Sequence, residues 1–202
     1  RPILFAIMVI AIAAFADTRT GIMSRPSDLY WTQAAIGFAA VFAMGPVMME
    51  GMLRALAAGP AYVISFIAVF SLSQTLGGLA GVSALSAFHT IRLKTHLIDA
   101  GATLTATNQQ LAGEIGQLST GFAATISDPV LQQQAAASRI TQEVGREAAV
   151  LAFNDVFFLI GTLASIAFVV VLVPWVINRV RGRNPLSKEL VFLENMIARS
   201  KR

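Results

Sequence analysis

Charged residues are absent from four long stretches of the chain, residues 2–16, 29–49, 55–88 and 156–178, which are 15, 21, 34 and 23 residues long. An α-helix rises ~1.5 Å per residue, so about 20 apolar residues cross the ~30 Å of bilayer hydrocarbon. The last three stretches meet that length. The first, at about 22 Å, is a short span or one cut at its start. Gly59-Pro60 divides the third stretch, because glycine punctuates and proline suits the first position of a helix. Gly45-Pro46 predicts a kink near the end of the second, since proline lacks the N–H and its ring clashes with the preceding turn. The pattern therefore predicts an all-α polytopic bundle with four transmembrane helices. Three lie within residues 1–88, at about 2–16, 29–49 and 60–88, and the fourth within 150–178.

Residues 89–149 are too polar for lipid yet keep a helical period. Leu111, Ile115, Leu118, Phe122 and Ile126 recur at spacings of 4, 3, 4 and 4, which makes one apolar stripe on a helix. Ser127-Asp128-Pro129 then supplies an N-cap followed by proline at the first helical position. A second helix is expected from there, with Ile140, Val144 and Ala148 on one face, running straight into the fourth span. The two make a helical hairpin outside the membrane. Residues 179–202 form a basic tail in which Asn184-Pro185 would start a short amphipathic helix, with Leu190, Leu193 and Ile197 turned to the leaflet. Arg179, Arg181, Arg183 and Lys188 crowd behind the last span, the positive-inside signature. The tail, the N-terminus and the loop at residues 50–59 are thus expected in the cytoplasm, and residues 89–149 outside.

Composition points the same way. Of 202 residues, 55% are hydrophobic and 13% charged, with a mean hydropathy of +0.67, whereas soluble domains are about a quarter charged. Lipid is the main solvent. Cysteine is absent, which removes disulfides and thiolate metal sites. His89 and His96 stand beside Arg92 and Lys94 rather than carboxylates, an exposed basic stretch rather than a metal site. No nucleophile with a base, metal cluster or phosphate loop appears, and the glycine pair within a span lacks the strand and helix that a phosphate loop needs. The expectation is a chain that is not an enzyme and holds neither metal nor cofactor. Hydrophobic sequence begins at once after Arg1, without the basic region and cleavage site of a signal peptide, so the chain reads as a fragment of a longer multi-span protein.

Two places carry candidate chemistry. In the third span, Ser71, Gln74 or Thr75, and Gly78 fall on one helical face, a polar stripe at a depth where lipid cannot satisfy it. That face is expected to meet protein or a wet cavity. Gly77 and Gly81 form GxxxG, a close-packing device between helices. The other place is Asp155, which opens the fourth span. Counting back about 20 residues from Asn178 and Arg179 reaches about Phe158, which leaves Asp155 one turn outside the hydrocarbon. There its carboxylate reaches headgroups and water, has little reason to change its pKa, and pairs with Arg92 or Lys94, with Asn154 beside it.

The order of these features resembles the last four spans of the fourteen-span drug:proton antiporters of the major facilitator superfamily, the EmrB/QacA type. SLSQTLGGLAG, residues 71–81, is similar to that family's NxxRxxGGSxG stretch in the penultimate span. AVLAFNDVFFLIG, residues 149–161, is similar to the family's run leading into the last span. The resemblance covers essentially the whole chain, with Gln74 where the family often has arginine and Leu79 where it has serine. It implies a partial major facilitator fold in which residues 29–49 and 60–88 face the substrate, with Met44, Met48, Phe70 and Gln74 as cavity candidates. Gly45 and Pro46, at the expected kink, are taken from the residues themselves as helix-packing positions. The resemblance also implies proton-driven multidrug efflux across a bacterial inner membrane. The expected partners are the bilayer, amphipathic small molecules and protons, the missing N-terminal spans, and a periplasmic membrane-fusion adaptor docking on the outer hairpin, with no nucleic acid. The competing reading is a membrane-anchored sensor or scaffold whose periplasmic helices bind a ligand or protein. Its difficulty is a tail of about 24 residues, too small for a signalling domain.

Overall fold

The computed structural model describes residues 2–21, 23–106 and 108–182. Among them the chain is helical, with no strand: α1 (Pro2–Asp17), α2 (Tyr30–Ala58), α3 (Pro60–Ala106), α4 (Asn108–Phe122) and α5 (Pro129–Val180), with a single 3-10 turn, Pro26–Leu29, leading into α2. Three helical segments, Ser27–Ala58, Pro60–Ala102 and Pro129–Val180, are long and apolar enough to cross a membrane, and Pro2–Asp17 is a shorter apolar helix. At 16 residues, α1 spans roughly 24 Å, less than the hydrocarbon thickness.

The distribution of large side chains is that of a protein dissolved in lipid. Among the described residues the buried apolar side chains are all alanines, Ala6, Ala11, Ala13, Ala14, Ala39, Ala55, Ala136, Ala148 and Ala152, while Trp31, Ile64, Val69, Leu79 and Val170 are exposed. Small residues let helix backbones approach closely where no hydrophobic effect drives them together. Bulky aliphatic groups turned outward are tolerated when the solvent is itself apolar.

Helix boundaries follow breakers more than hydropathy. The expected loop at residues 50–59 is helical to Ala58, so α2 and α3 are separated only by Gly59, whose φ is +131°. Its N–H donates to the carbonyls of Ala55 and Leu56, and its carbonyl accepts from Tyr62. Pro46 lies inside α2 without ending it. The third span does not stop at Phe88: α3 continues to Ala106, since no proline follows and His, Thr, Arg, Lys and Leu continue a helix at little cost. The first helix of the expected hairpin is therefore preceded by an extension of α3, and α4 ends at Phe122, which leaves Ile126 in the turn. Asp128 caps α5 as its sequence suggests, Oδ1 accepting from the Val130 N–H at 2.9 Å, with Pro129 first in the helix. From there α5 runs unbroken through residue 180, Pro174 included. The side chain of Leu111 and the amphipathic tail helix expected after Asn184-Pro185 lie outside the described residues.

Contacts group the described residues into two units, with boundaries inside α3 and α5. In the first unit, residues 2–17, 26–83 and 158–182, α1 lies antiparallel along α2. Phe5 meets Phe42 edge-on at 6.3 Å, and the buried Asp17 accepts from Gln33 Nε2 at 2.7 Å at the other end of the pair. Phe15 packs edge-on against Phe158 at 5.9 Å and over Gly161, where an added Cβ would sit 3.1 Å from its ring. In the second unit, residues 18–25 and 84–157, the extension of α3 lies antiparallel to the first half of α5, with Ala148 and Ala152 buried on the α5 face.

Candidate functional site

In the first unit the polar stripe of α3 stands in the open. Every residue from 71 to 84 is exposed, and Cβ atoms placed on Gly77, Gly78 and Gly81 would meet nothing within 4 Å. The expectation that the GxxxG glycines pack against a helix is not met among the described residues. The short hydroxyls on these helices look after themselves, Thr75 donating to the Ser71 carbonyl at 3.1 Å and Thr162 and Ser165 to carbonyls one turn back at 2.8 Å. Such back-bonding satisfies a hydroxyl within its own helix. Gln74 carries two donors and an acceptor on a longer arm.

Gln74 shares a groove with α2. An open cavity of about 320 Å³ is lined by Ala40, Val41, Ala43, Met44, Val47 and Gln74, so two of the sequence candidates, Met44 and Gln74, come together across the α2–α3 pair. Met48 does not join them. It lines a second groove of about 310 Å³ with Gly45, Met49, Met52, Leu53 and Leu56, all on one face of α2. Phe70 is half-buried and its ring lies 5.6 Å from that of Phe66. Phe66 in turn covers Gly51, where any Cβ would overlap the ring. Ser71 and Gly78 remain on the exposed stretch beside Gln74.

In the second unit the partner of Asp155 is Arg92, not Lys94. Arg92 Nε lies 2.6 Å from Asp155 Oδ2, whereas Lys94 is exposed and outside the pair. The same oxygen also receives His96 Nε2 at 2.7 Å. Reading His96 as part of an exposed basic stretch was thus incorrect: its side chain is only 18% exposed and faces a carboxylate from another helix. The sequence held one signal for it, the i, i+4 spacing of Arg92 and His96, which places both on one helical face. Asp155 is also not unperturbed. Burial pushes its carboxyl up, but the hydrogen bonds and charges of Arg92 and His96 prevail and hold it below its ordinary value.

Two further contacts surround this cluster. Asn154 bonds Thr20 twice, accepting from the Thr20 hydroxyl and donating Nδ2–H to the Thr20 carbonyl at 2.8 Å. The His89 ring packs on Phe153 at 4.3 Å, with Nε2 buried and lacking a partner among the described residues. Arg92, His96, Asn154 and Asp155 together hold the second half of α3, the segment leading into the fourth apolar run and the segment after α1. With this geometry in hand, comparison with known protein families, characterised proteins and solved structures finds no match to the chain.

Proposed function

We propose that this chain is part of a proton-driven efflux transporter of the major facilitator kind, one that exports amphipathic small molecules across a bacterial inner membrane with its C-terminus in the cytoplasm. In this reading α1 is a fourth, short span, and α2 and α3 supply part of a central pathway whose other wall belongs to further spans. The observation that carries it is the surface of α3 from residue 71 to 84, exposed at every residue, with Gln74 opening into the Met44-lined groove of about 320 Å³. A carboxamide facing lipid would leave its donors and acceptor unsatisfied at a cost of several kcal/mol. A wet chamber removes that cost. Methionine beside it offers an adaptable, polarisable wall suited to varied apolar ligands. The midplane site between two helical bundles that rock against each other is the general plan of such carriers.

The test is dye export from cells expressing the gene that encodes this chain, with an amphipathic cationic dye as substrate. Gln74→Leu is expected to slow export several-fold, in keeping with the loss of about 1–2 kcal/mol of hydrogen bonding, with a smaller loss for Met44→Ala. Export equal to wild type in both variants at equal membrane abundance overturns the pathway assignment.

A further inference from the structure

The second unit carries an arrangement that efflux does not require, and the inference from it stands independently of the proposed transport. Arg92 and His96 of α3 both reach one oxygen of Asp155 on α5, at 2.6 and 2.7 Å. Farther along the same helix pair both helices line an open cavity of about 350 Å³, with His96, Asp99, Ala100, Val144, Glu147, Ala148 and Leu151 around it. His96 thus stands where the ion cluster meets the cavity. We propose that His96 is a proton-operated clamp: when its ring takes up a proton, the outer half of α3 and the first half of α5 draw together and the cavity between them narrows.

From α5, His96 faces Asp155 and, across the cavity, Glu147; from α3 it has Asp99 and Arg92. Asp155 touches the ring, Arg92 shares the Asp155 oxygen with it, and the exposed Asp99 and Glu147 share the cavity lining. Lys94 on α3 is exposed, Arg146 lies beside Glu147 on α5, and Arg19 and Arg25 sit on the 18–25 segment that reaches α5 through Thr20 and Asn154. Neutral imidazole donates one hydrogen bond to Asp155 and has no charge to offer the far side of the cavity. Imidazolium keeps that bond, strengthens it with charge, and gains attraction to Glu147 of α5 across the open cavity. Histidine is the side chain whose charge changes between about pH 5 and 8. Asp155, held by two donors, stays ionised through that window, so the clamp has its anchor throughout.

His89 supplies an internal contrast. It lies seven residues earlier on α3, against Phe153, with its Nε2 buried and without a partner among the described residues. A proton there gains no ion pair, so the response belongs to His96 alone.

The experiment uses the absence of cysteine. Ile98→Cys and Gln142→Cys, both at exposed positions on the two sides of the cavity, take spin labels on the full chain in lipid nanodiscs, and inter-label distances are measured from pH 7.5 to 5.5. The population at longer separation is expected to fall roughly two- to fivefold on acidification, the scale of a partly exposed ion pair. Adding His96→Gln should flatten the profile, and His89→Gln should leave it intact. Asp155→Asn, which keeps the shape of the side chain, should flatten it as well and serves if His96→Gln perturbs folding. A flat profile in the labelled parent, or a response that survives His96→Gln or vanishes with His89→Gln, overturns the proposal.

Discussion

Replacing Gln33 by leucine tests how the α1–α2 pair is held. Asp17 is 3% exposed, the one charged residue buried among the described residues, and Gln33 Nε2 donates to its Oδ2 at 2.7 Å. Gln33 itself is exposed, so Gln33→Leu removes a donor without opening a cavity. A hydrogen bond to a charged group contributes about 1.5–3 kcal/mol, and a buried acceptor left short of donors bears the larger part of that loss. The expected destabilisation is therefore about 2 kcal/mol, some thirtyfold in the folding equilibrium. Asp17→Asn, a neutral acceptor of the same shape, should make the further loss of Gln33 cost about 1 kcal/mol or less. The assay is reversible unfolding of the full chain in mixed micelles, followed by helicity, for wild type, the two single variants and the double variant. A Gln33→Leu loss under about 0.5 kcal/mol, or single losses that simply add in the double variant, would show that this bond does not fasten α1 to α2.

Two other outcomes follow from the geometry. Gly59→Ala forces a Cβ onto a residue with φ +131° and ψ 161°, a region essentially reserved for glycine. It should cost on the order of 1–3 kcal/mol, read as a lower unfolding midpoint, while Ala58→Gly, one residue earlier on a helical backbone, should cost about 1 kcal/mol or less. The Asp155 carboxyl is held below its ordinary value of 3.8, so its contribution to the second unit is complete above about pH 4 and is lost as pH falls through the lowered folded value. Hydrogen-exchange protection of residues 84–106 and 140–157 should therefore weaken below pH 4 in wild type. In Asp155→Asn this acid step should be absent and protection lower throughout.

Membrane character, the positions of the apolar runs, the Gly59 break, the start of α5 at Pro129 and its passage without interruption into the fourth run were all legible in the sequence. Each depends on local quantities: the length of an uncharged stretch, a proline at the first helical position, a glycine able to take a positive φ. The end of α3 was not legible from hydropathy, because leaving an apolar solvent does not terminate a helix; only a breaker does, and none stands between Phe88 and residue 100. Tertiary structure decided which helices are neighbours. It chose Arg92 over Lys94, added His96 to the Asp155 oxygen, joined Asn154 to Thr20 and Asp17 to Gln33, and put Met44 but not Met48 in the groove with Gln74. Apolar helices in lipid expose much the same surface on every side, so hydrophobic pattern does not say which face meets which. That choice falls to small residues that allow close approach and to a few polar groups that need partners from elsewhere in the chain.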